Sequence, residues 1–198
     1  MTPKLSTEIV EGIGYKKCKL DRIAKLQILG QNNEKRESIA DKRYAKFRAN
    51  KVKVLEIYNA QDSTITHNEA QSLFDSNVKY VVNDIVKPDS YHPDPENVCS
   101  NGIHYYLTEE AAYHWESRSD GLIKTFYDDG TIKCEREMRN NKVNGSYTTF
   151  YNNGNVFEKM NFENGHLHGP YEQWSVEGKK IAESKFNYDR KKFENVFL

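Results

Sequence analysis

Two histidines near the end of the chain are the first residues whose types and spacing suggest chemistry. His166 and His168 stand one residue apart, and two imidazoles at that spacing can share a transition metal. His168, however, directly precedes Gly169, and Asn144 precedes the equivalent glycine 24 residues earlier. This position therefore favours a turn residue over a metal ligand. We predict no metal site and no bound cofactor.

The cysteines point away from a disulfide framework. The sequence holds three of them, Cys18, Cys99 and Cys134, and no two form a C-x-x-C pair. An odd number of isolated thiols is typical of reduced proteins, whereas structural zinc sites need clustered ligands. Cys99 has no local catalytic signature, so we expect an unreactive thiol there.

A short strand around His104 is the best candidate for an active site. In the structural interpretation, His104 hydrogen-bonds a neighbouring loop while Ile103 and Tyr105 pack in the core. The alternative is an enzyme that resembles ADP-ribosyltransferase-like folds, in which a histidine at a strand start contacts a ribose. That alternative predicts a pocket joining His104 to a carboxylate, but no glycine-rich phosphate loop accompanies the strand. We favour the structural interpretation and predict no catalytic residue.

Composition excludes several classes of protein. The 198 residues are 37% hydrophobic and 29% charged, with 13 Tyr, 9 Phe and 2 Trp, which is far too aromatic for a disordered chain. No stretch approaches the roughly 18 apolar residues of a membrane span. The first 25 residues also lack the apolar run of a signal peptide. We therefore expect a protein that is neither secreted nor inserted in a membrane.

The charges are unevenly distributed although they sum to zero. Residues 1–60 hold 14 basic and 7 acidic side chains, residues 61–120 hold 3 and 11, and residues 121–198 hold 12 and 11. The net charges of these segments are therefore +7, −8 and +1. We expect the first two segments to neutralise each other within one domain, which argues against nucleic-acid binding.

The last third of the chain contains an internal repeat of 24 residues. Its three units span 121–144, 145–168 and 169–192, and each predicts one hairpin of an antiparallel meander. Asp-Gly and Asn-Gly pairs accept positive φ, so we expect two-residue turns between the strands of each hairpin. The glycines expected at turns and unit starts are Gly130, Gly145, Gly154, Gly165, Gly169 and Gly178.

These units resemble MORN-type repeats in their short Y-x-x-G … N-G-x-x-x-G pattern. Tyr127 to Gly130 and Tyr151 to Gly154 carry the first half of that pattern. The third unit departs from it, because Ser175 replaces the tyrosine and Asp189 replaces a glycine. We expect this unit to be a degenerate cap, over whose open end the terminal apolar residues fold: Phe193, Val196, Phe197 and Leu198.

Aromatic residues recur throughout the repeats. Phe126, Phe150 and Trp174 occupy one shared position, and Met138, Phe162 and Phe186 occupy another. One row is expected to form a core, because a meander needs a buried face. Further aromatics would then form an exposed interaction surface. The predicted interaction residues are Tyr127, Tyr147, Tyr151, Tyr171 and Trp174.

Residues 1–117 predict a compact α+β domain, so the expected fold class is α+β, with a C-terminal β-meander over 118–198. The expected strands lie within 15–29, at 52–58, at 78–86 and at 102–107. Apolar residues at Ile39, Ala40, Tyr44 and Phe47 predict an amphipathic helix over 33–50. Weaker helical signals cover 68–74, and Thr108 is expected to cap a helix over 109–116.

Two stretches of this domain, Lys42–Tyr58 and Cys99–Trp115, resemble a domain of unknown function found in giant DNA viruses. The second stretch keeps the pattern C-x-x-G-I-H-F-F-L-T-x-x-E-A almost whole. In the first stretch, Phe47 replaces the usual cysteine. The resemblance implies a mimivirus or marseillevirus kind of source but supplies no activity. The motif residues are Cys99, Gly102, Ile103, His104, Tyr105, Tyr106 and Leu107.

These patterns together predict a non-enzymatic structural or protein-interaction protein of a large DNA virus. One specific version is a minor capsid or capsid-associated component, located in the virion or in the viral factory of the host cytoplasm. Its expected partners are proteins, either capsid subunits or a second copy, and not nucleic acid. The alternatives are a membrane-apposed adaptor, because MORN-type repeats have been linked to phospholipid headgroups, and the enzyme centred on His104. The net charge of +1 on residues 121–198 supports membrane contact only weakly.

Overall fold

A computed structural model of the chain, which describes Pro3 and residues 5–197, is built almost entirely of antiparallel β-structure. Strands account for 49% of the residues and helix for 3%, so the expected α+β class is wrong. The chain divides into two compact units. Unit 1 comprises Met1–Trp115 and Asp128–Gly130, and unit 2 comprises Glu116–Tyr127 and Thr131–Leu198.

Unit 1 is organised around a six-stranded sheet with the order β3-β8-β1-β2-β4-β7, in which every neighbouring pair is antiparallel. Strands β5 and β6 form a separate two-stranded sheet. The strands are β1 (Ile13–Cys18), β2 (Arg22–Ile28), β3 (Lys46–Ala49), β4 (Val52–Asn59), β5 (Glu69–Gln71), β6 (Lys79–Val81), β7 (Ile85–Val86) and β8 (Ile103–Tyr106).

Both faces of the large sheet of unit 1 are covered. The β5–β6 pair contributes Ala70 and Tyr80 to a cluster with core residues of the large sheet. Helix α1 (Glu109–His114) packs against β1, β2 and β8. Neighbouring residues of a strand point to opposite faces, and Lys16 lies over the Tyr80 ring while Lys17 lies over the Tyr113 ring of α1. The two covers therefore lie on opposite sides of the sheet.

Two of the three predicted helices are absent from unit 1. Residues 33–45 form turns and bends, residues 46–49 form β3, and residues 69–71 within the second predicted helix form β5. The apolar residues Tyr44 and Phe47 match a helical spacing, yet Phe47 pairs with Tyr105 on β8 and is fully buried. Pairing with a strand more than fifty residues away thus overrides the local periodicity. Only the helix predicted from 109 is present, and Thr108 caps it by accepting a hydrogen bond from the Ala111 N–H.

Unit 2 is a seven-stranded antiparallel sheet in which consecutive strands are neighbours. This arrangement is compatible with the predicted meander, in which each repeat supplies one hairpin. The strands are β9 (Gly121–Phe126), β10 (Ile132–Arg139), β11 (Lys142–Phe150), β12 (Val156–Glu163), β13 (His166–Trp174), β14 (Lys180–Asn187) and β15 (Arg190–Val196).

The turns of the repeats alternate between two types. In the second unit the Tyr151 N–H bonds the Asn155 carbonyl and the Gly154 N–H bonds the Tyr151 carbonyl, which makes a three-residue loop instead of the expected two-residue turn. The return turn at Asn164–Gly165 does have two residues, both with positive φ (51° and 90°). All six predicted turn and unit-start glycines have positive φ, which favours glycine at these positions.

The end of the repeat sheet differs from the expected cap. Phe193 and Val196 lie in β15, which extends the sheet by one more strand, and they are 48% and 64% exposed. Phe197 is also exposed, and Leu198 lies outside the described residues. These side chains therefore do not close the end of the sheet.

Candidate functional site

The two motifs that carry the family resemblance are brought together as adjacent strands. Strand β3 comes from the first motif and β8 from the second, and they pair with Lys46 opposite Tyr106 and Arg48 opposite His104. Ile103, Tyr105 and Leu107 are buried in the core of unit 1. The motifs thus have a structural reason to occur together, since each supplies half of one β-ladder.

Arg48 fixes the loop that precedes β8, and no sequence pattern indicated this role. Its fully buried guanidinium donates to the backbone carbonyls of His92 at 2.6 Å, Asn97 at 2.9 Å and Asp94. The Tyr91 ring lies 4.6 Å from the guanidinium carbon. Because a buried charge is costly without partners, this set of carbonyls makes Arg48 an internal clamp.

Gly102 is required by the same clamp. Its φ is +150°, and a Cβ added there would lie 3.2 Å from the Cβ of Arg48 and 3.3 Å from the Tyr91 ring. Any side chain at this position would therefore push against both residues. The glycine of the motif reflects close packing of the loop on β3.

His104 is a neutral imidazole held by the backbone. Its Nε2 lies 3.0 Å from the Val98 carbonyl, which can only accept, so Nε2 carries the proton. Burial, followed by the positive charge of Lys46, lowers the pKa of His104 to about 4. His104 lines two pockets. One is walled by lysines, aromatics and Cys99 and has no carboxylate among its lining residues, whereas Asp75 and Asp89 are among the lining residues of the other. The enzyme hypothesis asks for a pocket that joins His104 to a carboxylate, and it stays a prediction.

Cys99 lies exposed at the edge of the same region. Its Sγ accepts a hydrogen bond from the Lys46 ammonium at 3.3 Å, and its thiol donates to an Asp128 oxygen at 3.1 Å. Further inside, the Tyr105 hydroxyl donates to Glu34 at 2.7 Å, and burial together with that carboxylate raises the Tyr105 pKa. These polar contacts hold the motif in place.

Both motifs of unit 1 lie within a region that matches a known protein family. A model of a family of unknown function, DUF5758, matches residues 4–112, which is more than half of the chain. The chain belongs to this family. No curated protein and no solved structure matches it significantly. The DUF5758 match covers both motifs, but it identifies neither MORN repeats nor a source organism, so those two inferences stay predictions.

The repeat sheet has one apolar and one charged face. Cross-strand partners share a face, and one register row runs Ile123, Arg136, Tyr147, Met160 and Tyr171 across five strands. Ring contacts at 5.5 Å (Tyr147–Phe162) and 5.9 Å (Tyr171–Phe186) extend this side of the sheet. We define the apolar face by Ile123, Met138, Val143, Tyr147, Met160, Phe162, Leu167, Tyr171 and Phe186.

The opposite, charged face has its side chains paired with one another. Lys124 lies 3.7 Å from Glu135, and Lys180 contacts both Glu172 at 2.6 Å and Glu183 at 2.9 Å. Lys159 lies 5.6 Å from the centre of the Trp174 ring on this side. The charged face therefore carries its own cross-strand partners.

The predicted interaction residues divide into three groups. Tyr147 and Tyr171 lie on the apolar face, whereas Trp174 lies on the charged face. Tyr127 and Tyr151 instead join consecutive repeats, since their hydroxyls donate to the carbonyls of Phe150 at 2.8 Å and Trp174 at 2.9 Å. The sequence does not reveal this division, because all five residues recur with the same period.

The His166 and His168 pair points to separate carboxylates. His166 Nδ1 lies 2.7 Å from Asp189, and His168 Nε2 lies 3.8 Å from Glu163. Within Pro3 and residues 5–197, no three or more His, Cys, Asp or Glu side chains are arranged to hold a metal.

The apolar face is only partly covered: Ile123 and Met138 are 1% and 8% exposed, whereas its other residues are half-exposed. Unit 2 is a single layer over the residues that the structure describes, and no residue of β11, β12 or β13 is buried. Among all the residues that the structure describes, no helix is long and apolar enough to cross a membrane. The apolar face is thus the largest half-exposed apolar surface of unit 2.

Proposed function

We propose that the chain is a non-catalytic interaction protein that self-associates through the apolar face of its repeat sheet. The proposal rests on one observation. On β11, β12 and β13 this face is rich in aromatic and aliphatic side chains, yet none of them is buried. A sheet normally buries its apolar face against a second layer. A second copy of the same sheet would supply that layer and form a two-fold sandwich.

The size of the face suits a stable dimer. Seven strands span six spacings of about 4.8 Å, and strands of about eight residues are roughly 27 Å long. The outline of the sheet is therefore about 800 Å² on each side, an upper limit that is close to what one partner contributes to a standard interface.

The few charges on the apolar face also favour a second copy. Arg136 lies in the row of Tyr147 and Met160, and Glu158 lies in the neighbouring row on the same face. Lys191 pairs with Phe186 and adds a second cation to this face. Cations and an anion on the same surface can meet one another across a two-fold axis. Such a surface can pair with a second copy through opposite charges.

The test is the mass of the full chain in solution, measured by light scattering after gel filtration and by analytical ultracentrifugation. We expect a dimer, and we expect Met160→Glu on the apolar face to convert it to a folded monomer. Thr148→Glu, in the neighbouring register row of the charged face, is the matched control and should remain dimeric. Circular dichroism verifies that both variants fold.

A monomeric wild type at high micromolar concentration would overturn the proposal, as would a dimer that tolerates Met160→Glu. If the monomer bound vesicles containing anionic phospholipid but not neutral vesicles, the membrane adaptor would replace the dimer as the preferred function. If instead it formed a complex with a different protein that Met160→Glu abolished, the apolar face would be an interface for that partner.

A finer version concerns location and rests on the sequence resemblance alone. In this version the dimer is a minor capsid or capsid-associated component in the virion or the viral factory. Quantitative mass spectrometry of purified virions of the source virus tests it, with the major capsid protein as the standard. A fixed, high copy number is expected, and absence from the particle would contradict it.

A further inference from the structure

A pocket opens in unit 1 where two neighbouring strands part. Strands β1 and β8 pair only at Tyr15 and Tyr106, and beyond that pair they diverge. The resulting pocket has a volume of about 280 Å³ and is lined by residues from β1, β3, β8 and the end of α1. Backbone groups that would pair in a continuous ladder instead face a side chain, because Lys16 donates to the His104 carbonyl at 2.9 Å.

One side of the pocket is cationic. Lys16 is 9% exposed, and the His104 carbonyl takes one of the three N–H donors of its ammonium. The Lys46 ammonium lies 3.3 Å from Cys99 Sγ and 3.8 Å from Asp128, a carboxylate whose side chain is 47% exposed. Lys17 is already paired with Asp21. Lys16 and Lys46 thus supply the charge that a ligand would meet.

The other side of the pocket is aromatic. The Trp115 ring centre lies 5.9 Å from that of Tyr106 and 6.4 Å from that of Phe74. Phe74 is 74% exposed despite its contact with Trp115. The three rings form a hydrophobic wall, and the Lys46 ammonium lies 5.3 Å from the centre of the Trp115 ring.

We propose that this pocket binds a small organic anion, with a carboxylate or phosphate bonded to Lys16 and Lys46 and a flat apolar group against Trp115. Burial in a pocket of low dielectric strengthens such charge-assisted hydrogen bonds. The ligand replaces Asp128, which is half exposed and 3.8 Å away, as the main partner of Lys46. Neutral His104 adds no charge to the pocket.

The volume limits the size of the ligand. About 280 Å³ lies just below the usual range for pockets that hold drug-sized molecules, so a single ring with one anionic group fits better than a dinucleotide. The proposal is independent of self-association, because every residue of the pocket belongs to unit 1 and the apolar face belongs to unit 2.

The test is isothermal titration calorimetry on the full chain with phenyl phosphate, benzoate, inorganic phosphate and phenol. We expect saturable binding of phenyl phosphate or benzoate, and the ranking of these two identifies the preferred anion. Phenol, which lacks the charge, should not bind. Lys46→Gln and Lys16→Gln should each raise the dissociation constant at least tenfold.

Two further variants separate the pocket from general charge effects. Lys79→Gln removes an exposed lysine of β6 outside the pocket and should leave binding unchanged. Trp115→Leu should weaken binding of phenyl phosphate without affecting any binding of inorganic phosphate. Since Lys16 is buried and its replacement can unfold unit 1, Lys46→Gln, checked by circular dichroism, carries the decision.

The proposal is overturned if neither phenyl phosphate nor benzoate binds saturably to the wild type. It is equally overturned if folded Lys46→Gln binds as tightly as the wild type, or if Lys79→Gln weakens binding as much as Lys46→Gln does.

Discussion

The two units build sheets of similar size but stabilise them by different means. The six-stranded sheet of unit 1 is covered on both faces, and Phe47, Ile57 and Tyr105 are at most 1% exposed. The seven-stranded sheet of unit 2 is one layer, with no buried residue in its three central strands. Unit 1 therefore depends on a closed core, and unit 2 depends on contacts between neighbouring strands and repeats.

The contacts of unit 2 repeat with its sequence. Tyr127 and Tyr151 each bond the backbone of the following repeat, and Ser175 stands at the equivalent position of the last repeat. Backbone bonds follow the same order, from the Gly165 N–H to the Val143 carbonyl and from the Asp189 N–H to the Leu167 carbonyl. Each repeat is thus stabilised mainly by its neighbour, which is the behaviour of a one-dimensional array.

The largest expected effect is the loss of stability when a buried phenylalanine of unit 1 is replaced by alanine, compared with the same replacement in unit 2. Phe47→Ala should lower the free energy of unfolding of unit 1 by about 4 kcal/mol, because it leaves a cavity in a closed core. Phe150→Ala should cost unit 2 only about 1–2 kcal/mol, because that ring is half exposed. Urea denaturation followed by tryptophan fluorescence measures both, since Trp115 lies in unit 1 and Trp174 in unit 2. Equal losses would contradict the contrast between the units.

A smaller effect concerns the pH dependence of unit 1. The pKa of His104 is about 4 in the folded protein and about 6.5 in an unfolded chain, so the unfolded state binds the extra proton as pH falls. Stability is complete above about pH 6.5 and should decrease by about 2 kcal/mol by about pH 5. Urea unfolding monitored at Trp115 across this range measures the change.

The control for this effect is His104→Gln, whose amide can still donate to the Val98 carbonyl but does not titrate. This variant should lose that part of the pH dependence. If wild type and variant showed parallel curves between pH 7 and pH 5, the buried neutral state of His104 would be wrong.

The smallest effect tests the bonds between repeats. Tyr151→Phe and Tyr127→Phe each remove one hydroxyl that donates to a carbonyl of the next repeat. Each should lower the stability of unit 2 by about 1 kcal/mol, as measured by urea unfolding monitored at Trp174. Unchanged stability in both variants would show that these hydroxyl bonds do not stabilise the junctions between repeats.

The repeats are the part of the fold that the sequence reveals best. Asn164 and Gly165 both accept positive φ, so a return turn follows from these two residues alone. The three-residue loops were missed because Asn153–Gly154 is compatible with a two-residue turn as well, and only the Tyr151–Asn155 bond distinguishes them. Residues close together in the sequence thus predict where the chain turns, but they do not determine the length of the loop.

The candidate sites were predicted less completely. The sequence singles out His104 and the recurring tyrosines, but it gives no sign that Arg48 clamps a loop or that Lys16 and Lys46 share a pocket with Trp115. These residues lie in β1, β3 and after α1, far apart along the chain. The pairing of strands that are distant in sequence brings them together, and no local period encodes that pairing.

By itself the sequence determined the 24-residue repeat, the positions of its turns and the helix capped by Thr108, because each depends on residues that are close together in the chain. Tertiary structure alone decided that residues 46–49 form a strand, which face each tyrosine occupies and where β1 and β8 part. These outcomes depend on the free energy of burying side chains against distant strands. This free energy is larger than local secondary-structure propensities, which are roughly a few tenths of a kcal/mol per residue.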